Sequence, residues 1–209
     1  MKAREPYRSA GRHYHTWSHV SACTDTLRSF PCATPQAVFL ALVFHDAVYV
    51  PGAPDNEAAS ARLAGEALRV ASRLSPERIA LIQQCVLATA SHLPDPGASP
   101  DVLGVIDIEM SILGADAATY DAYSEGVMLE YCPAVASRQA FIAGRLAFLR
   151  SLHRAPAIFH TAEGVRRWDA AARGNLRREI ARLEIEQTFA SRALGVAIAI
   201  ARGAKRLFR

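Results

Sequence analysis

The chain has 209 residues, 51% hydrophobic and 21% charged, with a formal net charge of +4, which excludes a disordered polymer and a miniature that needs disulfide or metal staples. No stretch reaches the roughly 18 uninterrupted apolar residues of a membrane-spanning helix. The basic start, Met1 to Arg8, has no apolar run behind it, so a cytoplasmic location is expected.

Apolar residues recur at three- and four-residue spacing along almost the whole chain and alternating β-type runs are missing, which predicts an all-α domain. Arg12 to His19 places His15 and His19 four apart, on one face if a helix begins there. Thr34-Pro35 opens a helix through Tyr49, and Pro51 to Pro54 is a loop. Asp55 caps a helix to about Leu74, and Ser75-Pro76 starts another to about His92. After the Pro94 to Pro100 loop, Ser99-Pro100 begins a helix through about Leu113, ended by Gly114, and Asp116 caps the next toward Tyr131. Pro133 opens a segment through about Leu152, and Thr161 caps a long Arg-rich helix running past Glu186.

The charge is uneven: nine basic against fifteen acidic residues up to Cys132, then fifteen against five from Pro133. The basic part carries no aromatic-interleaved or groove-reading motif, so it reads as a solvated helix face and no specific nucleic-acid binding is expected. The apolar-then-basic stretch 187–209 reads as a terminal helix docked on the core, ahead of a peripheral membrane anchor or a partner-binding helix. Cys23, Cys32, Cys85 and Cys132 contain no Cys-x-x-Cys pair and read as reduced, mostly buried thiols.

The chemistry lies in polar residues set into apolar helices. His45-Asp46 closes the apolar run Ala37 to Phe44, His92 ends Cys85 to Ser91, and Asp107 interrupts Val102 to Leu113. Polarity there is costly unless something offsets it. Imidazoles and carboxylates arriving from separate helices suit a divalent cation with open positions, and mixed N/O ligation points to Mn, Fe, Co, Ni, Mg or Zn. Arg12 is a candidate phosphate clamp and Tyr49 a candidate pocket wall.

His19, His45-Asp46 and Asp107 resemble the H…HD…D ligand set of the HD-domain metal-dependent phosphohydrolase superfamily. Arg12-x-Tyr14-His15-x-x-x-His19, Phe44 to Tyr49, Asp55-Asn56-Glu57-x-x-Ser60, Thr89-x-x-His92 and Asp107-x-Glu109-x-x-Ile112-Leu113-Gly114 are similar to a bacterial subfamily of HD phosphohydrolases. The resemblance covers roughly Arg12 to Leu183. It implies a single HD-type helical domain over 12–186, after an arm at 1–11 and before an extended C-terminal helix or tail at 187–209.

The resemblance implies that His19, His45, Asp46 and Asp107 bind the metal, with Asp46 also catalytic, and that His15 is the general acid toward a leaving oxygen. His92 would bind a second metal or a phosphate, and Asn56 and Glu57 would orient ligands or water. Arg173 and Asn175 resemble a C-terminal Arg-x-Asn-Leu pattern, with helix packing an equal reading. Where relatives carry a second Asp in Asp-x-Asp-Leu, this chain has Glu109-Met110, a departure that bears on metal preference and number. The activity implied is hydrolysis of a small phosphate ester, a nucleotide by superfamily analogy, and a homodimer is compatible with it. The alternatives are an HD-fold di-iron oxygenase and a non-catalytic nucleotide-binding regulatory module.

Overall fold

The computed structural model describes residues 4–132 and 135–207, with side chains described as far as Phe189. Among them there are helices and turns but no strand, so the all-α expectation holds. The helices are α1 (Trp17–Leu27), α2 (Pro35–Phe44), α3 (Asn56–Ala71), α4 (Pro76–Ala88), α5 (Pro100–Glu109), α6 (Ala117–Tyr131), α7 (Arg138–Arg154), the short α8 (Ala162–Gly164) and α9 (Ala170–Leu207).

The centre of the fold is α2, whose sequence is apolar on every side. Ala37, Val38, Ala41 and Leu42 are all fully buried, and α2 packs against α1, α3, α4 and α5. Ile82 of α4 and Val105 and Ile106 of α5 complete the same core. Truncating such a residue, Leu42→Ala for example, costs about 2–5 kcal/mol.

Caps set most helix starts as the sequence predicts. Ser75, Ser99, Asp116 and Thr161 each accept a backbone N–H in the first turn. Asp55 precedes α3 but its side chain makes no capping bond. Several helices stop earlier than expected: α2 at Phe44 rather than Tyr49, and α4 at Ala88 rather than His92. In both places the chain leaves the helix to aim a polar side chain inward. A 3-10 turn, Met110–Gly114, takes over from α5 for the same stretch of apolar periodicity. His15 lies ahead of α1, because Thr16 caps that helix and Trp17 opens it, so His15 and His19 do not share a helix face. The expected start at Pro133 falls on an undescribed residue, and α7 begins after the Ser137 cap.

Between α8 and α9 the chain makes a π turn over Val165–Asp169. Its extra residue rotates α9 relative to α8, so that Gly164 packs on Asp107 while Asn175 and Glu179 still face inward. Asn175 donates to the Leu113 and Ala115 carbonyls at 2.8 and 2.9 Å. Arg173 donates to Asp169, His153 and Ala155. Both are packing residues here. The buried Glu179 takes a two-pronged contact from Arg145, at 3.0 and 3.2 Å, and hydrogen bonds from Tyr120 and Ser124, which ties α6, α7 and α9 together.

Beyond Phe189 the backbone of α9 continues to Leu207 as one helix. The docking expected of the 187–209 tail falls on side chains outside the described residues. Among the described residues no helix is long and apolar enough to cross a membrane. Cys23 and Cys85 are buried, Cys32 and Cys132 half-buried, and all four thiols are free.

Candidate metal centre

Three elements deliver a cluster of ligand-type atoms. His19 comes from the first turns of α1, His45 from the C-terminal cap of α2 and Glu109 from the end of α5, and one ligand atom of each lies within 4.8 Å of the others. These three side chains could hold a metal ion. The two imidazoles face each other with their Nε2 atoms 3.1 Å apart. Asp46 Oδ2 stands 2.9 Å from His45 Nε2 and 3.7 Å from His19 Nε2.

The hydrogen bonds explain why these atoms are aimed inward. His45 Nδ1 lies 2.8 Å from the Leu42 carbonyl, which leaves Nε2 as the ligating nitrogen. Asp46 Oδ2 and Glu109 Oε2 are buried oxygens whose neighbours do not meet hydrogen-bond geometry. Buried carboxylate oxygens are normally satisfied. Here the near neighbours of both are imidazole nitrogens, at 2.9 Å for Asp46 and 2.7 Å for Glu109, an arrangement of donor atoms that fits a cation in that place.

The electrostatics agree. Burial disfavours the Asp46 anion, but the charges of His45, His15 and His19 outweigh it and hold its carboxyl far below the usual range. Burial likewise raises Glu109, and His92, His19 and His45 more than reverse it. Burial and its neighbour His45 push His19 down to about 4, whereas at His45 the lowering by burial is overcome by Asp46, which lifts it to about 9. The site is a focus of negative charge that collects protons when no cation is present.

Asp107 is not part of this cluster. Its Oδ1 accepts the His160 amide at 2.7 Å, and its Oδ2 accepts the Thr161 amide and hydroxyl at 2.8 and 2.6 Å. It is fully buried as the anchor for the start of α8. The carboxylate that reaches the histidines is Glu109, two residues on. Helical geometry decides this: two residues apart on a helix means opposite faces, so only one of the pair can reach the centre.

Arg12 also differs from the role expected of it. Its guanidinium donates to the carbonyls of His15, Asp46 and Ala47 at 2.7, 2.9 and 3.4 Å and to Ser9 at 2.8 Å. It sits over the rings of Tyr7 and Tyr49. Its donors are spent on clipping the His15 segment to the chain after α2, and it is not free to clamp a phosphate.

A cavity of about 450 Å³ opens onto the centre and is lined by His15, His45, Asp46, Tyr49, Asn56, Glu57, His92 and Glu109 among others. Asn56 is locked to both backbone groups of Val50, at 2.9 Å each, and so fixes the turn after Asp46 rather than a ligand. Glu57 lines the cavity. His92 reaches Glu109 with Nε2 2.7 Å from Oε2. It does so from a left-handed backbone, φ 55°, in which a non-glycine residue is strained. His160 holds it there by a 2.9 Å contact from its Nε2 to the His92 carbonyl.

The residue that sequence reasoning missed is Glu130, in the last turn of α6. One oxygen accepts the amides of His13, Tyr14 and His15 at 2.8, 2.7 and 2.9 Å. The other meets His15 Nδ1 at 2.6 Å and the Tyr49 hydroxyl at 2.8 Å. Tyr49 in turn stacks on the His15 ring, 4.3 Å between centroids. Burial lowers the His15 pKa, but Asp46 and Glu130 reverse this and leave it raised. The only sequence signal was an acid at a helix C-terminus, where the dipole disfavours one. Tyr14 was also missed: its hydroxyl is buried without a hydrogen-bond partner in a side chain that lines the cavity.

The chain matches no protein-family model, no curated protein and no solved structure.

Proposed function

We propose that the chain is a metal-dependent phosphohydrolase of the HD type, holding a divalent cation, one of Mn, Fe, Co, Ni, Mg or Zn, through His19, His45, Asp46 and Glu109. The observation that carries this is the convergence of two buried carboxylate oxygens, on Asp46 and Glu109, with two facing imidazole nitrogens beside a cavity.

When bound, the cation supplies Lewis acidity and a water made acidic enough to attack near neutral pH. Hydrolysis forms one P–O bond to water oxygen and breaks the P–O bond to the ester oxygen. His15 is the group that gives the departing oxygen its proton. Glu130 takes Nδ1, which leaves Nε2 as the nitrogen for transfer, and its carboxylate favours the protonated ring. The Tyr14 hydroxyl, kept protonated by burial, is a donor for a phosphoryl oxygen. His92 with Glu109 supports a second cation or a phosphate contact. The di-iron oxygenase reading is less well served, because His13, His153 and His160 are not among the residues lining the cavity.

The test is metal analysis of wild type and His45→Ala, with hydrolysis of 4-nitrophenyl phosphate and its diester under added Mn²⁺, Ni²⁺, Co²⁺ or Mg²⁺. Metal retained by wild type alone, with hydrolysis that vanishes in His45→Ala, is expected. Stoichiometric iron with no ester cleavage would move the assignment to an oxygenase, and failure to bind any of these metals would remove catalysis altogether.

A further inference from the structure

The cavity has a second wall that the proposed reaction does not use. It comes from α6 and α7 together with the 3-10 turn after α5, and its faces are Ile112, Val127, Tyr131, Phe141 and Phe148. These are apolar or aromatic surfaces. The wall includes one permanent cation, Arg145, and that cation is already engaged. Its Nε and Nη2 contact the two oxygens of Glu179 at 3.0 and 3.2 Å, and its Nη1 donates to the Tyr123 hydroxyl at 3.2 Å.

A second or third phosphate of a nucleotide needs cations or amide donors beyond the metal, and among the described lining residues no other Lys or Arg is available to it. A ribose would lay several hydroxyls against a wall with few free acceptors. An apolar group, in contrast, would exchange water for aromatic and aliphatic surface at no polar cost.

We infer that this wall seats the alcohol portion of the substrate, and that the substrate is a phosphate ester carrying one phosphoryl group and an apolar aryl or alkyl group. This rests on the phosphohydrolase reading, with the phosphoryl group at the histidine and carboxylate end and the apolar group between α6 and α7. Specificity then increases with apolar area and not with phosphate count.

The experiment measures binding first, so that it does not depend on turnover. The Mn²⁺-loaded protein is titrated calorimetrically with methyl-, butyl-, hexyl- and phenylphosphonate, and with adenosine mono- and triphosphate. The dissociation constant is expected to fall about three- to fourfold per methylene until the wall is covered, while the triphosphate binds no more tightly than the monophosphate. Gly144 lies on this wall, and a Cβ added there meets nothing within 4 Å. Gly144→Phe therefore adds bulk at this exposed lining position without a clash and is expected to flatten the series. Phe148→Ala, which removes part of the wall without adding bulk, flattens it independently should the first variant fold poorly.

A flat phosphonate series in wild type, or tighter binding with each added phosphate, would overturn the inference. Turnover of the matching alkyl phosphates separates it from the reading beneath it. A steep binding series with no ester cleaved leaves the seat in place and removes the hydrolase, whereas cleavage with a flat series does the reverse.

Discussion

Glu130→Gln tests whether one carboxylate organises the proton donor. The side chain is 2% exposed, accepts three amides and meets His15 and Tyr49. Burial raises its pKa, but the His15 contact and the amides more than reverse this, taking it from 4.5 to about 2. A carboxyl depressed by that amount contributes about 3 kcal/mol of stability above pH 4.5, at 1.36 kcal/mol per pKa unit. The contribution declines as pH falls toward the folded-state value and is below about 1.5 kcal/mol near pH 3. Gln keeps the shape and an acceptor for the amides but loses the charge. Urea unfolding of wild type and variant between pH 7 and pH 3 should give a gap of about 3 kcal/mol at pH 7 that narrows on the acid side. The rate readout is separate: with less negative charge beside it His15 loses its proton at lower pH, so the alkaline limb of kcat moves down. A gap under about 1 kcal/mol at pH 7, or one that does not narrow with acid, would refute the account.

The metal-free centre binds a proton on His45, whose pKa is lifted to about 9, so cation affinity should rise with pH up to that value and binding near pH 7 should release roughly one proton; calorimetry in two buffers of different ionisation enthalpy checks this. Asp107→Ala leaves the His160 and Thr161 donors unpaired and should cost about 3 kcal/mol or more, whereas Glu109→Ala should lower metal content with a smaller loss of stability; thermal melts beside metal analysis distinguish them, and the reverse pattern would restore Asp107 as the ligand. A Cβ at Gly164 would collide with Asp107 and press on Phe159, so Gly164→Ala should destabilise by about 1–3 kcal/mol, read by urea unfolding.

The helices were legible because their signals are local. Ser75, Ser99, Asp116 and Thr161 cap where the residue types say they should, and α2 declares its burial by having no polar face. His19, His45 and Asp46 could be picked out because each is a polar residue in an apolar context. What sequence could not decide was which of Asp107 and Glu109 turns inward, since that depends on the helix phase at its last turn. Nor could it reveal that Arg12 spends its donors on carbonyls from two segments, or that Glu130 serves residues more than a hundred positions earlier. Those are long-range hydrogen bonds, and composition and periodicity carry no trace of them.

That separation in the chain has a kinetic side. His19, His45 and Glu109 are all in place once α1, α2 and α5 have packed, but the His15 ring gains its carboxylate partner when Glu130 closes a loop of 115 residues back onto the start of the chain. The closure from His19 to Glu109 is nearly as long, so the order comes from packing: α1, α2 and α5 pack directly on one another, whereas α6 meets the rest of the fold chiefly through the 3-10 turn after α5 and docks later. During refolding the protein should therefore acquire a cation before it acquires a working acid, with a lag between metal uptake and turnover. A folding intermediate caught between the two events is a metal-binding protein with no catalysis, made from the same chain by order of assembly alone.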